Sequence, residues 1–251
     1  MKKKYVQVGL GGRARFFYEA IASTYHQTCE LVGFCDVSQT RMDYANRILV
    51  NKYGQKKVKT CMPSQFEQLL DDVRPAEVII TSVDRTHHDY IIRAMKKGYD
   101  VICEKPLTID EEKAQEIITV QKQTGRSLRV TFNYRYAPYH TKIKELIESD
   151  VIGDVFSIHF EWLLNTQHGA DYFRRWHRNK HNSGGLLVHK STHHFDLVNF
   201  WLNSRPKKVF AFGGLNFYGM HNAEKRGVET FYSRCYGSEL CLLYTSPSPR
   251  D

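Results

Sequence analysis

The chain has 251 residues, of which 41% are hydrophobic and 25% are charged, and its formal net charge is +9. These proportions are ordinary for a soluble globular protein, and no apolar run approaches the roughly 20 residues that span a bilayer. The positive charge could indicate nucleic-acid binding, but the lysines are scattered and no nucleic-acid motif is present, so we expect neither nucleic acid nor a membrane as a partner.

The first predicted elements are a strand, a glycine-rich loop and a helix. Residues 5–10 are typical of a short apolar strand, and a helix is predicted over residues 16–23. Between them Gly9, Gly11 and Ala14 follow the pattern G-x-G-x-x-G/A, in which the glycines allow a tight turn and a close approach of the backbone to a pyrophosphate. The free N–H groups at the start of the helix would attract phosphate. The candidate cofactor contacts of this loop are Gly9, Gly11, Gly12, Arg13 and Ala14.

An acidic residue ends the second predicted strand. Residues 30–36 finish at Asp36, about twenty residues past the loop, where a carboxylate can accept hydrogen bonds from ribose hydroxyls. The same charge would repel a 2′-phosphate, which favours NAD, although Arg41 nearby in the sequence keeps NADP possible. Strand, loop, helix, strand and acid in this order predict a dinucleotide site more strongly than the glycines alone.

Two further strand patterns lead to a lysine. Residues 77–81 and 100–103 are buried-strand candidates, and a helix predicted over 88–97 lies between them, closed by Gly98 in the C′ position. Alternating strands and helices imply a parallel sheet with ligands at the carboxyl ends of its strands. The turn Cys103-Glu104-Lys105-Pro106 stands at such an end, so we expect its lysine where a nicotinamide ring would lie.

With this turn the chain resembles the Gfo/Idh/MocA family, the glucose–fructose oxidoreductases and inositol dehydrogenases. The resemblance runs from Lys4 to about Leu215. It implies an N-terminal Rossmann domain that binds NAD(P) and a C-terminal α/β domain that presents one face of an open sheet to a sugar or cyclitol. The motifs that carry it are the glycine loop, Thr81 with His87, the Cys-Glu-Lys-Pro turn, residues 132–135, residues 151–155, and Gly184-Gly185 before a histidine-containing helix that ends in Asp196.

The predicted fold class is therefore α/β, a doubly wound parallel Rossmann sheet followed by an α+β domain with an open, mostly antiparallel sheet. We place the NAD(P)-binding domain at residues 1–130 and a partial substrate and oligomerisation domain at 131–240, with a strand over 208–215. The resemblance implies a homo-oligomer at full length. The resemblance also adds three cofactor contacts to the glycine loop, Asp36 and Lys105, namely Thr81, His87 and Glu104. A helix-capping role is the alternative for His87.

The last eleven residues do not continue the preceding pattern. Residues 241–251 correspond, residue for residue, to the translation of a transposon sequencing adapter, so we expect them to be a non-native tail. The natural product would then continue elsewhere, and strands of the second domain would lack partners. The six cysteines form no C-x-x-C pair, and no signal-peptide pattern begins the chain, which predicts a reducing cytoplasm.

Oxidation of a secondary alcohol needs a base for the hydroxyl proton and a cation or donor for its oxygen. His193 is the candidate base, because histidine titrates near neutral pH, and Lys105 would stabilise the developing alkoxide. A buried structural role is the alternative for His193. The family's catalytic aspartate is replaced by His189, four residues earlier and so predicted on the same helical face. It would orient His193 or contact another hydroxyl, and Arg135 and Tyr134 are the further substrate candidates.

Two histidine pairs have the i, i+4 spacing that can hold zinc, His177 with His181 and His189 with His193. Both lack a third ligand and the glutamate of His-Glu-x-x-His, so we expect no metal.

Three functions remain after these observations. The leading one is an NAD(P)-dependent dehydrogenase acting on a secondary alcohol of a sugar, cyclitol or derivative. An NAD-dependent glycosidase that oxidises the sugar transiently, eliminates the aglycone and reduces the product is the alternative, which His189 keeps open. A sensor that retains the fold without chemistry is disfavoured, since Lys105 and His193 are both present.

Overall fold

The computed structural model of the chain describes residues 2–228, apart from the side chains at positions 167, 170, 171 and 174. The chain divides into two units, the first ending at Thr131 and the second beginning at Phe132. The tail proposed over 241–251 and the end of the predicted second domain lie outside the described residues.

Six strands of the first unit form a single parallel sheet. They are β1 (Lys3–Val8), β2 (Cys29–Cys35), β3 (Lys59–Cys61), β4 (Glu77–Ile80), β5 (Asp100–Cys103) and β6 (Leu128–Val130). Their spatial order is β3-β2-β1-β4-β5-β6, the order of a Rossmann sheet, which reverses between β1 and β4. The strands predicted from sequence correspond to β1, β2, β4 and β5, and the parallel sheet is confirmed. The short edge strands β3 and β6 were not predicted.

Five α-helices connect these strands. They are α1 (Ala14–Ala22), α2 (Gln39–Tyr53), α3 (Phe66–Val73), α4 (Asp84–Lys96) and α5 (Glu111–Thr124). The helix predicted over 88–97 starts four residues earlier, at Asp84, and ends where expected, with Gly98 at a φ of 87° just beyond the C-cap. Helix α1 starts at Ala14, the last residue of the glycine pattern, so the loop between β1 and α1 comprises residues 9–13.

The core of the first unit lies on both faces of the sheet. Phe34 and Cys35 are adjacent in β2 and fully buried, yet they belong to different apolar clusters. Successive side chains of a strand point to opposite faces, so helices cover both sides, as a parallel sheet requires. Burying one such large side chain contributes about 1.5–3 kcal/mol.

Glu19 joins α1 to α2 on the surface of this unit. Its carboxylate accepts hydrogen bonds from Tyr53 Oη at 2.6 Å and Lys52 Nζ at 3.1 Å, and it also bonds Arg15. Partial burial raises the pKa of Glu19, but the bonds from these three donors outweigh it and hold the pKa at about 2. The charged form is therefore the one that the fold stabilises.

In the described part of the second unit, helices are the regular secondary structure, and long segments without regular structure join some of them. Its helices are α6 (Pro138–Glu148), α7 (Thr166–Arg174), α8 (Lys180–Ser183), α9 (Leu186–His189), α10 (Thr192–Leu202) and α11 (Met220–Lys225). Helices α6 and α10 pack together: Leu197 is fully buried, and Trp201 donates its indole N–H to the carbonyl of His140 at 3.1 Å.

The strand predicted over 208–215 is not formed. These residues carry no paired strand, and Val209, Phe210 and Phe212 are at least 79% exposed. A strand needs a hydrogen-bonded neighbour, and residues 132–228 supply none, so the predicted antiparallel sheet is absent from the described part of this unit. Within residues 2–228, no helix is both long and apolar enough to cross a membrane.

Candidate functional site

The glycine loop joins β1 to α1 and touches the turn after β4. Gly9 has a φ of +80°, and a Cβ on it would lie 2.4 Å from Cα and N of Ser82. Its amide donates to the carbonyl of Cys35 at 2.8 Å. A Cβ on Gly11, in contrast, would meet no atom within 4 Å. Gly9 is therefore required by the packing of two loops, whereas Gly11 leaves open space beside the backbone.

The amides of this loop fit an anionic group. Among the described residues we find no acceptor for the N–H groups of Gly11, Gly12 and Arg13, and Ala14 N–H bonds the carbonyl of Gly11 at 3.0 Å. Exposed amides at the start of a helix favour phosphate through hydrogen bonds and the helix dipole. The open space at Gly11 and these amides together match the requirements of a dinucleotide pyrophosphate.

Asp36 lies immediately after β2 and is only 5% exposed. Its Oδ2 accepts a hydrogen bond from Leu10 N at 2.5 Å, and its Oδ1 accepts one from Ser38 N at 2.8 Å. The guanidinium Nη1 of Arg41 lies 4.0 Å from the same Oδ1. A carboxylate offers about four acceptor sites, so it can hold the loop and still accept bonds from a ribose diol. Arg41 is exposed and lies beyond hydrogen-bonding distance of this carboxylate.

Thr81 follows β4 and is hydrogen-bonded to the glycine loop. Thr81 is 6% exposed, and its hydroxyl donates a hydrogen bond to the carbonyl of Gly9 at 2.6 Å. Gln7, fully buried in β1, donates to Thr81 Oγ1 at 3.1 Å and to the carbonyl of Ala14 at 3.0 Å. Sequence reasoning missed Gln7, although a glutamine inside an otherwise apolar strand was a usable signal, because a buried amide must find partners.

Glu104 links the glycine loop to the turn that carries Lys105. It is 5% exposed. Its Oε1 accepts from Arg13 Nε at 2.7 Å, and its Oε2 accepts from the amide N–H of Lys105 at 2.9 Å. The peptide bond that follows, to Pro106, is cis. One carboxylate thus holds the glycine loop and the lysine turn together, at the carboxyl ends of β1 and β5.

His87 sits in the first turn of α4 and is 1% exposed. Its Nδ1 lies 2.9 Å from the carbonyl of Pro106 and its Nε2 3.0 Å from the carbonyl of Ser82. Both ring nitrogens thus face backbone oxygens, which ties the lysine turn to the loop that packs on Gly9. Its contact with a cofactor stays a prediction.

In the second unit, Tyr134 and His193 form an aromatic stack. Their ring centroids are 4.0 Å apart and their planes 9° from parallel, and Phe132 meets His193 edge-on at 5.9 Å. His193 is 4% exposed and lies near the start of α10. The stack fixes the orientation of the imidazole, which suits a residue that must present one nitrogen to a proton.

Arg135 is held by an acid of the same unit. Its Nε donates to Asp196 Oδ2 at 2.7 Å, and a second bond joins the same two groups. The hydrogen bonds to Asp196 raise the pKa of Arg135, and the guanidinium also covers Phe200 at 5.1 Å. This bidentate pair fixes the segment after Phe132 on α10. Contact of Arg135 with a substrate stays a prediction.

His189 and His193 do not share a helix face, contrary to the sequence prediction. His189 ends α9, the chain breaks its helix at the next two residues, and α10 begins at Thr192. The His189 ring meets Trp176, His177 and Tyr172 at centroid distances of 5.0–5.6 Å. The i, i+4 rule applies only within one continuous helix, so the two histidines have different neighbours.

Lys190 is a buried residue that sequence reasoning did not assign to the site. It is 8% exposed, and its Nζ donates to the hydroxyl of Tyr134 at 2.6 Å. Burial lowers the pKa of His194, and the positive charge of Lys190 lowers it further. Among the described residues, no cluster of three histidine, cysteine or acidic side chains could hold a metal ion.

Comparison with known proteins identifies both parts of the chain. Residues 3–132 match the Gfo/Idh/MocA oxidoreductase family, described as having an NAD-binding Rossmann fold, and residues 144–233 match its C-terminal alpha/beta domain. The chain is 36% identical to the protein YteT of Bacillus subtilis (strain 168) over 99% of this chain and 58% of that protein. It is 32% identical to an inositol 2-dehydrogenase of Rhizobium meliloti (strain 1021), over 54% of this chain and 39% of that protein.

Solved structures agree on the fold. The WlbA dehydrogenase from Chromobacterium violaceum, in complex with NADH and UDP-GlcNAcA, superposes with a TM-score of 0.66 at 20% identity, over 81% of this chain and 56% of that one. The chain thus spans less than two thirds of these relatives. Since the first family match covers more than half of the chain, the chain belongs to the Gfo/Idh/MocA oxidoreductases, and its first unit is their NAD-binding Rossmann domain.

Proposed function

We propose that the protein transfers a hydride between a secondary alcohol of a sugar, cyclitol or derivative and NAD, with NADP as a weaker cofactor. When bound, the nicotinamide supplies the hydride acceptor or donor. Lys105 holds the alcohol oxygen, and His193 removes or returns its proton. Gly11, Gly12 and Arg13 bind the pyrophosphate, and Asp36 binds the ribose.

The Glu104 carboxylate is the observation that carries this proposal. It accepts hydrogen bonds from Arg13 and from the Lys105 amide at 2.7 and 2.9 Å. The loop that would bind phosphate and the backbone of the lysine turn are therefore fixed to each other without any ligand. A fixed backbone at Lys105 supports catalysis by a positioned cation, which requires the charge to be in place before the oxygen becomes negative.

Relatives support the substrate class. Proteins similar to this chain include the inositol 2-dehydrogenase already named and a D-glucoside 3-dehydrogenase of Escherichia coli (strain K12), which is 24% identical over 91% of this chain and 61% of that protein. Both act on ring hydroxyls, according to their names. We extend that class to this chain because its first unit can hold the cofactor and its second unit has a fixed imidazole. Homo-oligomerisation and a cytoplasmic location remain predictions.

Cofactor binding tests the first half of the proposal. NADH and NADPH are titrated into the full chain and followed by nicotinamide fluorescence, with circular dichroism to establish folding. We expect NADH to bind at least about tenfold more tightly than NADPH, because Asp36 is buried beside the loop. A folded chain that binds neither nucleotide would refute the proposal.

Turnover tests the second half. NADH formation is measured with myo-inositol, D-glucose and methyl glucosides, for the chain and for Lys105→Met. The variant should lose at least about 99% of turnover, on the order of 2.7 kcal/mol, with its NADH affinity unchanged. Lys97→Met is the matched control, since that exposed lysine pairs with Asp71 at 2.7 Å in the same unit. Release of aglycone from a nitrophenyl glucoside without net NADH would show the glycosidase alternative instead.

A further inference from the structure

Lys190 places a positive charge inside the second unit. It follows α9, and 92% of its surface is covered, as its exposed fraction is 8%. Among the described residues, its ammonium makes one hydrogen bond, to Tyr134 Oη at 2.6 Å. An ammonium carries three N–H donors, so two of them have no acceptor in this part of the chain.

No described acid compensates this charge. Among the side chains of the unit that the structure describes, Asp196 is the one buried carboxylate, and it is bonded to Arg135 through both oxygens. Within the described side chains, no carboxylate oxygen lies within 4.0 Å of Lys190 Nζ. The remaining acids of the unit with described side chains are all exposed, namely Glu145, Glu148, Asp150, Asp154, Glu161 and Glu224. Burying an unpaired charge is costly, and an anion from outside the chain would offset that cost.

Lys190 and His193 both lie against the ring of Tyr134, and we call these three residues the aromatic platform. The Lys190 Nζ lies 5.0 Å and the His193 ring 4.0 Å from the centroid of the Tyr134 ring. Because Tyr134 Oη accepts its bond from the ammonium, its own hydrogen remains to be donated. Two ammonium hydrogens and one phenolic hydrogen can therefore meet the oxygens of a single small anion, beside the imidazole.

The charge of this platform selects among anions. Arg135 is neutralised by Asp196, so the only uncompensated cation among the described residues near Tyr134 is Lys190. One ammonium matches a monoanion such as a carboxylate. A phosphate ester carries nearly two negative charges and is usually met by several cations or by a row of amides.

We propose that the second unit recognises a sugar that carries a carboxylate, such as a uronate, and that Lys190 and the Tyr134 hydroxyl bind that carboxylate. The inference rests on the proposed function and names the substrate class of the same site. Lys190 is then a specificity residue, and His193 keeps its separate role at the reacting hydroxyl.

Calorimetric titration of the full chain in the presence of NADH tests this. The probes are D-glucuronate, its neutral analogue D-glucuronamide, D-glucose and D-glucose 6-phosphate. We expect glucuronate to bind about tenfold to a hundredfold more tightly than glucose or glucuronamide, the range of a hydrogen-bonded charge pair, and more tightly than the phosphate. Equal affinities, no binding of glucuronate, or tightest binding of the phosphate would each overturn the inference.

Three variants locate the effect. Lys190→Met should abolish the preference for glucuronate and Lys190→Arg should retain it. Lys144→Met should leave the preference unchanged, because that lysine, 13% exposed, is paired with Glu148 at 2.8 Å in the same unit. A preference that survives in folded Lys190→Met would contradict the assignment. If Lys190→Met does not fold, Lys190→Arg and the comparison with glucuronamide decide the question.

The NADH titration separates this inference from the proposed function. A chain that binds NADH but does not distinguish glucuronate from glucose loses the inference and keeps the proposed function. A folded chain that fails to bind NADH refutes the proposed function, and the four sugar titrations are then judged by the same criteria without cofactor.

Discussion

Replacement of Gly9 by alanine should unfold the first unit more easily, for two independent reasons. The residue has a φ of +80°, a conformation that L side chains rarely adopt. The added Cβ would also lie 2.4 Å from Cα and N of Ser82, which are backbone atoms and cannot rotate away. The loop after β1 and the loop after β4 would have to separate.

The two effects can be given magnitudes. A left-handed conformation costs a non-glycine residue roughly 1–2 kcal/mol, and forcing an extra methyl group into packed surroundings costs about 1–3 kcal/mol. We therefore expect Gly9→Ala to lower the free energy of unfolding by about 3 kcal/mol. For a unit of this size, that corresponds to a drop in Tm of about 10 °C.

Gly11→Ala is the matched control, two residues away in the same loop. Its φ is not positive, and its Cβ would meet no atom within 4 Å. Its Tm should stay within about 2 °C of the parent or rise slightly, since alanine restricts the unfolded chain. Its NADH affinity should nevertheless fall at least about tenfold, because the methyl group occupies the space that we assign to the pyrophosphate.

Thermal unfolding by circular dichroism and NADH titration measure both variants on the same samples. The expected pattern is a loss of stability in Gly9→Ala and a loss of affinity without loss of stability in Gly11→Ala. Equal Tm values for Gly9→Ala and the parent would refute the packing argument. Undiminished NADH binding by Gly11→Ala would refute the placement of the pyrophosphate.

Three further predictions concern buried or bonded acids of the first unit. Glu104→Gln presents an amide where Arg13 and the Lys105 N–H both need an acceptor, so it should cost about 1.5–3 kcal/mol, visible as a lower urea midpoint; an unchanged midpoint would contradict the proposed link. The pKa of Glu19 is held at about 2, below its ordinary value of 4.5, so its stabilisation is present above pH 4.5 and is lost as the pH falls towards 2. Urea unfolding at a series of pH values should show a shallower loss in Glu19→Gln. Asp36→Asn should weaken NADH by about tenfold while leaving NADPH unchanged or tighter in parallel titrations.

The sequence predicted those features that depend on neighbours along the chain. The spacing of Gly9, Gly11 and Ala14 predicted the loop, and the apolar runs predicted four of the six strands, because each of these depends on local backbone geometry. The edge strands β3 and β6 have only three residues each, too short for a periodic pattern to show.

Features set by distant partners could not be predicted in this way. The Arg135–Asp196 pair joins residues 61 positions apart, and Lys190 meets Tyr134 across 56 positions. The prediction that His189 and His193 share a helix face was wrong for a related reason. The helix rule needs an unbroken helix, and the break after His189 gives the two rings different neighbours. Burial of Gln7 depends in turn on Thr81, 74 residues away.

The motif residues of the first unit hold backbone and loop positions more than they present side chains outward. Thr81 bonds the Gly9 carbonyl, His87 the Pro106 carbonyl, and Glu104 the Lys105 amide, and all three are at most 6% exposed. We expect the loop amides and Asp36 to bind the cofactor directly, with Lys105 reserved for the alcohol oxygen, and these three side chains to position the groups that bind. Conservative changes such as Thr81→Ser should therefore preserve NADH affinity, whereas removal of the hydroxyl should weaken it through a shift of the loop.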